Sequence, residues 1–351
     1  MTYSDLLLFI QPFAPPDQWL QRVRQANPGI RVEYHHVEMY AKELPPISKE
    51  TWAEATILFT WQLFPPKEWV PKLQYIQLLS AGCNQLLGMP LFEDTDIAFC
   101  TSNGNHPPQI AEWVFSTFLA FQHHIPEYLE NQRACKWVDP PTDEDTEDAV
   151  GLRIGILGYG CIGRQCARVA KAFGMDVYAY TLHSRDTPES RRSEDYTEPG
   201  LGDPEGEFPS AWFAGKEQLN EFLASDLDLL LITLPLTNQT RGMISREQFD
   251  ILSKRKAYVS NVGRGPCINT EDLMAALDEG KIRGAALDVT DPEPLPADHK
   301  LWGYKNVIIT PHCSGNSNHY YERVLKIFAY NLERRAQGKP LVNHVNRALG
   351  Y

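Results

Sequence analysis

The stretch Gly158-Tyr159-Gly160-Cys161-Ile162-Gly163 constrains the fold of this chain more than any other feature. An apolar run, residues 154–157, leads into it, and apolar residues at helical spacing follow it. Strand, glycine-rich turn and helix in this order are typical of a dinucleotide-binding unit, whose helix N-terminus faces the pyrophosphate. The alternative is a tight turn that binds nothing. The context favours a Rossmann domain in which these six residues contact the coenzyme.

The length of the chain indicates more than one domain. Its 351 residues exceed what one ordinary core supports and suit two domains. Strand-like and helix-like segments alternate on both sides of the glycine motif, which predicts an α/β protein with parallel sheets. We expect a first domain over residues 1–104, a coenzyme domain over 105–313, and a return to the first domain over 314–351. Residues 186–209 lack apolar periodicity, and we expect a surface insertion there.

Charge and cysteine usage exclude several classes of partner. A net charge of −12 argues against a nucleic-acid surface, which needs clustered lysine and arginine. The seven cysteines are scattered and form no C-x-x-C pair, so we expect reduced thiols and no bound metal. No apolar run is long enough to span a bilayer, and no basic region precedes the apolar residues 6–10. We therefore expect a cytoplasmic protein without a membrane or nucleic-acid partner.

The end of the second predicted strand of the coenzyme domain bears on the choice of coenzyme. Domains that bind NAD usually carry an acid there, which repels a 2′-phosphate, but this chain has the neutral Thr181. His183, Ser184 and Arg185 follow, and a guanidinium with a hydroxyl suits a phosphate dianion. The sequence thus predicts NADP as coenzyme, with NADPH preferred over NADH. The alternative is that Arg185 is a solvated charge neutralised by Asp186.

Three polar residues follow the carboxyl ends of predicted strands, where open α/β sheets bind ligands. They are Arg264, Glu293 and His312. Taken one by one, each could be a surface charge, a loop residue or a histidine at a strand end. Together they favour a clamp for a carboxylate, a proton donor and the partner of that donor.

The ordered set of motifs at residues 156–164, 234–240, 261–265, 288–296 and 310–312 resembles the D-isomer-specific 2-hydroxyacid dehydrogenases, in their NADP-preferring branch. The resemblance covers nearly the whole chain. It implies a Rossmann coenzyme domain and a flavodoxin-like substrate domain built from both chain ends, with a cleft between them. It also implies a homodimer formed through the coenzyme domain.

The resemblance implies reduction of a 2-keto acid to its D-2-hydroxy acid by hydride from NAD(P)H. Arg264 would hold the substrate carboxylate or keto oxygen, His312 would protonate the carbonyl oxygen, and Glu293 would orient the histidine ring. Asp288 matches the position near the nicotinamide carboxamide. Further coenzyme contacts are expected at Leu234, Pro235, Thr240, Val262, Gly263, Arg264, His312 and Gly315.

The substrate pocket is expected in the first domain. Ser80-Ala81-Gly82 resembles the loop whose backbone N–H groups receive the substrate carboxylate. Trp61 and Phe64 follow the predicted strand 57–60, and an aromatic wall there would favour a bulky side chain over glyoxylate. The alternative is that these aromatic residues belong to the core.

Two other functions occur on folds of this kind. A formate dehydrogenase resembles this family but carries glutamine where Glu293 stands. Transcriptional corepressors of the family keep the dehydrogenase residues and act as dinucleotide-sensing binding proteins; slow turnover with tight coenzyme binding would distinguish them.

Overall fold

The computed structural model describes residues 4–193 and 195–347. Within them the strands are β1 (Asp5–Gln11), β2 (Ile30–His36), β3 (Ile57–Thr60), β4 (Tyr75–Leu78), β5 (Ala98–Cys100), β6 (Arg153–Leu157), β7 (Asp176–Thr181), β8 (Ala211–Ala214), β9 (Leu229–Ile232), β10 (Tyr258–Asn261), β11 (Gly284–Leu287) and β12 (Val307–Ile309). The α-helices are α1 (Asp17–Ala26), α2 (Lys49–Glu54), α3 (Pro90–Glu93), α4 (Pro107–Gln122), α5 (Ile125–Arg133), α6 (Cys161–Ala172), α7 (Pro188–Arg191), α8 (Leu219–Leu223), α9 (Arg246–Leu252), α10 (Thr270–Asp278) and α11 (Tyr320–Ala336).

The chain divides into two compact units. Unit 1 contains the residues up to Asn105 and those from Ser317 onward, and unit 2 contains His106–Asn316. None of the helices in the described ranges is long and apolar enough to cross a membrane.

Unit 1 is a flavodoxin-like α/β fold, as predicted. Its five parallel strands follow the order β2-β1-β3-β4-β5, the flavodoxin order. One face of the sheet packs on α1 and α11 through residues such as Trp19 and Phe328, and the other packs on α2 and α3 through Trp52 and Phe92. Covering both faces is what a parallel sheet of continuous apolar strands requires.

Unit 2 is a Rossmann fold, which confirms the predicted class. Its seven parallel strands follow the order β12-β11-β10-β9-β6-β7-β8. The strand order reverses between β6 and β9, which is where such sheets bind dinucleotides at the carboxyl ends of their strands. Helices α4 and α6 cover one face of the sheet, and α8, α9 and α10 cover the other.

The expectation for residues 186–209 needs correction, and the strand that follows them, β8, is not expected from the sequence. The four residues of β8 are only half-buried and pair with β7 alone, as an edge strand. Residues 186–209 are the crossover between β7 and β8, and they are not merely a solvated surface insertion. Within them Asp203 is 3% exposed and Gly202 is buried. We call residues 186–209 the crossover segment.

Candidate active site

The glycine motif forms the turn between β6 and α6. Gly158 has φ of +110°, a conformation that L side chains rarely adopt. A Cβ on Gly163 would collide with the carbonyl oxygen of Gly158, so glycine allows the helix to pack against the turn. A Cβ on Gly160 would meet no atom within 4 Å, so the backbone there faces open space. Open space before the N-terminus of a twelve-residue helix fits a dinucleotide pyrophosphate.

The side chain of Tyr159, the second residue of the motif, points into the protein. It is 4% exposed, and its hydroxyl donates a hydrogen bond to Asp203 Oδ2 at 2.7 Å. Cys161 and Ile162 open α6 and are half-buried. Of these three expected coenzyme contacts, Tyr159 therefore faces the open space with its backbone only.

The turn after β7 carries the residues expected to select the coenzyme. His183 and Ser184 are exposed, and Arg185 is half-buried. Arg185 donates through Nη1 to the carbonyl oxygen of Ser190, and its Nε has no hydrogen-bond partner among the described residues. Asp186 accepts a hydrogen bond from the Ser184 hydroxyl, and no ion pair joins it to Arg185 within the described ranges. The neutralisation of Arg185 by Asp186 is therefore not seen.

His312 and Glu293 form a hydrogen-bonded pair in the half of the sheet away from β7, where Glu293 follows β11 and His312 follows β12. His312 Nδ1 lies 2.7 Å from Glu293 Oε1, and half of the histidine side chain is exposed. Because a carboxylate only accepts, Nδ1 carries the proton in this bond. The second ring nitrogen, Nε2, is then the one that can exchange a proton with a substrate. The sequence placed these residues nineteen positions apart, and the fold brings them together.

The loop of His312 is held from beneath by Asp288, which is 2% exposed. Its carboxylate accepts hydrogen bonds from the Thr310 hydroxyl at 2.6 Å, from the Cys313 N–H at 2.8 Å and from the Ser314 N–H at 3.0 Å. Its carbonyl oxygen accepts the N–H of His312 at 2.8 Å. His312 has φ of +52°, which is uncommon for a residue with a side chain. Sequence reasoning missed this role, since it placed Asp288 only near the nicotinamide carboxamide.

Arg264 directly follows β10 and is half-buried. Its Nη1 donates to the carbonyl oxygen of Gly263 at 2.8 Å, and its own carbonyl oxygen accepts from Asn261 Nδ2 at 3.0 Å. These bonds fix the backbone beside the end of the strand and leave most guanidinium donors available for a ligand. A guanidinium suits a carboxylate, because it offers several N–H donors in one plane.

The remaining expected coenzyme contacts lie in unit 2 on loops after strands. Leu234, Pro235 and Thr240 follow β9, and the Thr240 hydroxyl donates to the Pro235 carbonyl oxygen at 2.7 Å. Val262 and Gly263 follow β10 and are buried. The position expected furthest along the chain, Gly315, accepts a hydrogen bond from Gln109 Nε2 at 3.0 Å. All of these residues follow the carboxyl ends of parallel strands, and the glycine motif lies at the same end of the sheet.

The residues expected to bind substrate in unit 1 follow β3 and β4. The Ser80 hydroxyl donates to the Gly82 carbonyl oxygen at 2.7 Å, and Ala81 is half-buried between them. Trp61 packs edge-on against Tyr40, with ring centroids 5.0 Å apart, and both line a shallow recess at the surface of unit 1.

Phe64 follows the same strand and packs against the core of unit 1, with its ring centroid 6.5 Å from that of Phe99. Trp61 also packs against the core, on the other face of the sheet, in addition to lining the recess. Both side chains are half-buried, so core packing contributes to the position of each. No group of three metal-ligating side chains occurs in the part of the chain that the structure describes.

Comparison with known proteins identifies the family. The model of the D-isomer specific 2-hydroxyacid dehydrogenase NAD binding domain matches residues 115–199 and 209–314. The matched residues include the glycine motif, Arg264, Glu293 and His312. The chain belongs to the D-isomer specific 2-hydroxyacid dehydrogenase family. It is therefore an oxidoreductase with a nucleotide-binding Rossmann domain.

Relatives cover almost the whole chain. It is 31% identical over 335 residues to the glyoxylate reductase of Aeropyrum pernix, covering 90% of this chain and 91% of that protein. It is 28% identical to glyoxylate/hydroxypyruvate reductase A of Salmonella choleraesuis, covering 98% and 99% of the two chains. A D-isomer specific 2-hydroxyacid dehydrogenase of Xanthobacter autotrophicus Py2, solved in complex with NADPH and MES, is 27% identical, with a TM-score of 0.76 and coverage of 99% and 100%.

Proposed function

We propose that this protein reduces 2-keto acids to D-2-hydroxy acids, with NADPH as the hydride donor and His312 as the proton donor. The observation that carries the proposal is the hydrogen bond of 2.7 Å between His312 Nδ1 and Glu293 Oε1. It fixes the orientation of the ring and places a negative charge beside it. With Nδ1 occupied by this bond, Nε2 is the ring nitrogen left to exchange a proton with a substrate.

The division of labour follows from the chemistry of each group. A bound nicotinamide would supply the hydride. Arg264 would bind the carboxylate or keto oxygen through charge-assisted hydrogen bonds, and Ser80, Ala81 and Gly82 would add backbone N–H donors. His312 would donate its Nε2 proton to the carbonyl oxygen as negative charge develops there, and would recover a proton from it in the reverse reaction.

The preference for NADPH rests on the turn after β7. Thr181 offers no negative charge to repel a 2′-phosphate, and Arg185 offers a guanidinium that no described acid pairs with. The NADPH complex of the similar Xanthobacter enzyme agrees with this assignment. The open backbone at Gly160 leaves room for the pyrophosphate of the same coenzyme.

The substrate is proposed to be a 2-keto acid. The similar enzymes of Aeropyrum and Salmonella are a glyoxylate reductase and a glyoxylate/hydroxypyruvate reductase. In this chain two aromatic residues, Trp61 and Tyr40, are among those that line the recess in unit 1, and aromatic rings favour contact with a larger apolar side chain. On that basis we expect this chain to differ from those relatives and to turn over a bulky 2-keto acid better than glyoxylate.

The proposal is tested by the oxidation of NADPH and of NADH, followed by absorbance, with glyoxylate, hydroxypyruvate, phenylpyruvate and 2-ketoisocaproate. We expect turnover with NADPH to exceed that with NADH. A much higher kcat/KM for glyoxylate than for the bulky acids would refute the role of Trp61. Tight coenzyme binding without turnover of any keto acid would favour a dinucleotide-sensing protein instead.

The role of Glu293 has its own test. Glu293→Gln removes the negative charge beside the ring but keeps a hydrogen-bond acceptor. Because the amide can turn either its oxygen or its NH2 group toward Nδ1, the ring is no longer held in one orientation, and kcat for keto-acid reduction should fall about tenfold. The measurement is kcat with saturating NADPH. An unchanged kcat would contradict the assigned role of Glu293.

The proposal includes a homodimer formed through the coenzyme unit. Large apolar side chains are exposed on α5 and the residues that follow it: Ile125, Tyr128, Leu129, Trp137 and Val138. Helix α5 has no buried residue, and Trp137 is 93% exposed. Several exposed large apolar side chains in one stretch of the chain are what a protein–protein interface would cover. Sedimentation velocity should show a dimer in the wild type and a larger monomer fraction for Trp137→Ser.

A further inference from the structure

The crossover segment contains a buried acid that the family pattern leaves out. The matched ranges end at residue 199 and resume at residue 209, so they omit Asp203. Asp203 is 3% exposed, and its carboxylate accepts the N–H groups of Glu207 at 3.0 Å and Phe208 at 3.1 Å. A carboxylate is buried only when hydrogen bonds compensate for its lost hydration. Its remaining described partner is the hydroxyl of Tyr159 in the glycine motif, at 2.7 Å.

Arg164 ties the same two regions together from the first turns of α6. It is 5% exposed and donates to the carbonyl oxygens of Asp203 and of Arg191, the latter at 2.7 Å. Its guanidinium lies 5.1 Å from the centroid of the Tyr159 ring. Burial lowers the pKa of Arg164, and the nearby positive charge of Arg185 acts in the same direction. Arg164 therefore joins the glycine motif to Arg191, whose Nε in turn donates to the carbonyl oxygen of Arg185.

Two further contacts attach the crossover segment to α6. The N–H of Gly202 donates to Gln165 Oε1 at 2.6 Å, and Arg168 Nε donates to the Gly202 carbonyl oxygen at 2.7 Å. These polar contacts hold the described residues of the crossover segment against α6, a role that apolar helix packing usually has in a Rossmann crossover. Their position is therefore defined despite the lack of apolar periodicity.

The other end of the crossover segment fixes the turn of Arg185. Arg185 Nη1 donates to the Ser190 carbonyl oxygen, and Arg191 Nε donates back to the Arg185 carbonyl oxygen at 2.9 Å. Helix α7 begins with a capping box formed by Thr187 and Ser190. Since Arg164 holds the carbonyl oxygen of Arg191, the chain of contacts runs from Tyr159 to Arg185 without a break.

We propose that Tyr159, Arg164 and Asp203 are positioning residues that hold the Arg185 turn at a fixed distance from the glycine motif, and that this distance sets the selectivity for a 2′-phosphorylated dinucleotide. The inference rests on the proposed preference for NADPH. The pyrophosphate and the 2′-phosphate belong to one covalent ligand, so the two protein sites that bind them must keep one spacing. A ligand without the 2′-phosphate needs the glycine motif alone and is indifferent to that spacing.

The test compares Asp203→Asn and Tyr159→Phe with the wild type. Tyr159→Phe keeps the buried ring and removes only the hydroxyl. The dissociation constants of NADP⁺ and of NAD⁺, which share the pyrophosphate and differ only in the 2′-phosphate, are measured by calorimetry, and kcat/KM is measured with NADPH and NADH. We expect each variant to bind NADP⁺ about tenfold more weakly, as for the loss of one charge-assisted hydrogen bond, and to bind NAD⁺ as the wild type does. The ratio of kcat/KM for NADPH to that for NADH should fall by the same factor.

The matched control is Tyr196→Phe, which removes a tyrosine hydroxyl that donates to Glu198 at 2.8 Å within the same segment. It should leave both dissociation constants unchanged. Equal weakening of NADP⁺ and NAD⁺ binding, or no weakening of either, in a folded Tyr159→Phe protein would overturn the inference. A wild type that binds NAD⁺ as tightly as NADP⁺ would instead overturn the preference for NADPH, and the inference with it. The calorimetric readout needs no turnover, so it stands even if the keto-acid substrate is different.

Discussion

The two sides of the coenzyme sheet hold their polar groups in opposite ways. On the β10–β12 side, His312 and Glu293 are about half exposed, and the loop beneath them rests on one buried acid, Asp288. On the β6–β8 side, the buried groups are the arginine and the acid themselves, Arg164 and Asp203. A reacting group must reach its substrate, whereas a positioning group has only to hold others still. The first kind of site needs access, and the second needs complete internal hydrogen bonding.

The largest effect is expected from a substitution that removes the proposed proton donor and leaves the β6–β8 side of the sheet unchanged. His312→Asn deletes the proposed proton donor, and kcat for keto-acid reduction should fall by roughly 10² to 10⁴-fold. The affinity for NADPH, measured by quenching of protein fluorescence, should change far less than kcat, since His312 is only one of many expected coenzyme contacts. The matched control is His319→Asn, which removes another exposed histidine paired with a glutamate, at 3.0 Å from Glu322. Turnover retained in His312→Asn would contradict the proton-donor assignment.

The converse substitution removes coenzyme selection without touching chemistry. Arg185→Gln deletes the guanidinium proposed to bind the 2′-phosphate, and kcat/KM with NADPH should fall by roughly 10 to 100-fold, the range for a hydrogen bond to a charged group. The value with NADH should stay within about twofold, since that coenzyme has no phosphate for Arg185 to bind. Steady-state kinetics with both coenzymes measures the difference. A parallel loss with NADH would show that Arg185 supports the fold of the turn and does not read the phosphate.

A smaller effect is expected from the support of the catalytic loop. Asp288→Asn keeps the shape of the side chain but turns an amide toward the N–H donors of Cys313 and Ser314. The positive φ of His312 would lose its support, and kcat should fall about tenfold, or about 1.4 kcal/mol in activation free energy.

The kinetic constants separate two roles of Asp288. If it only contacted the nicotinamide carboxamide, KM for NADPH would rise while kcat stayed constant. The control Asp291→Asn changes an exposed carboxylate three residues further on and should leave kcat unaltered.

The placement of the proposed catalytic residues could be predicted from sequence because its signals are local. Arg264 lies three residues after β10 and His312 three residues after β12. Strand β12 is a short apolar run, and β10 begins with an aromatic and a β-branched residue, both typical of strands. Residues at the carboxyl ends of parallel strands meet at one edge of the sheet, so strand prediction alone places them together. The predicted strand over residues 57–60 agrees with β3, Ile57–Thr60, for the same reason. The positive φ of His312 could not be predicted, since it depends on contacts with Asp288 from the preceding strand.

The crossover side could not be predicted because its contacts carry no periodicity. Asp203 and Tyr159 are forty-four positions apart, and an isolated acid in a segment rich in acids gives no sign of burial. Arg164 contacts the crossover segment through backbone carbonyl oxygens, which every residue has, so the partner sequence leaves no pattern. Strand β8 was missed along with it, because the segment before it was interpreted as solvated.

The smallest predicted effect separates buried from exposed contacts within the crossover segment. Arg192 pairs with Glu205 at 2.8 Å, but the two side chains are 61% and 53% exposed. Exposed pairs are screened by solvent, so Arg192→Ala should lower the free energy of unfolding by less than about 1 kcal/mol. Urea denaturation followed by fluorescence measures the change, and the difference from the wild type should shrink further in 1 M salt. The affinity for NADP⁺ should stay as in the wild type, because no described contact joins Arg192 to the Tyr159–Arg164–Asp203 network. Weaker binding of NADP⁺ by Arg192→Ala, with NAD⁺ binding unaffected, would show that the 2′-phosphate is bound at the exposed residues of the segment. The contrast between its buried and its exposed contacts would then be wrong.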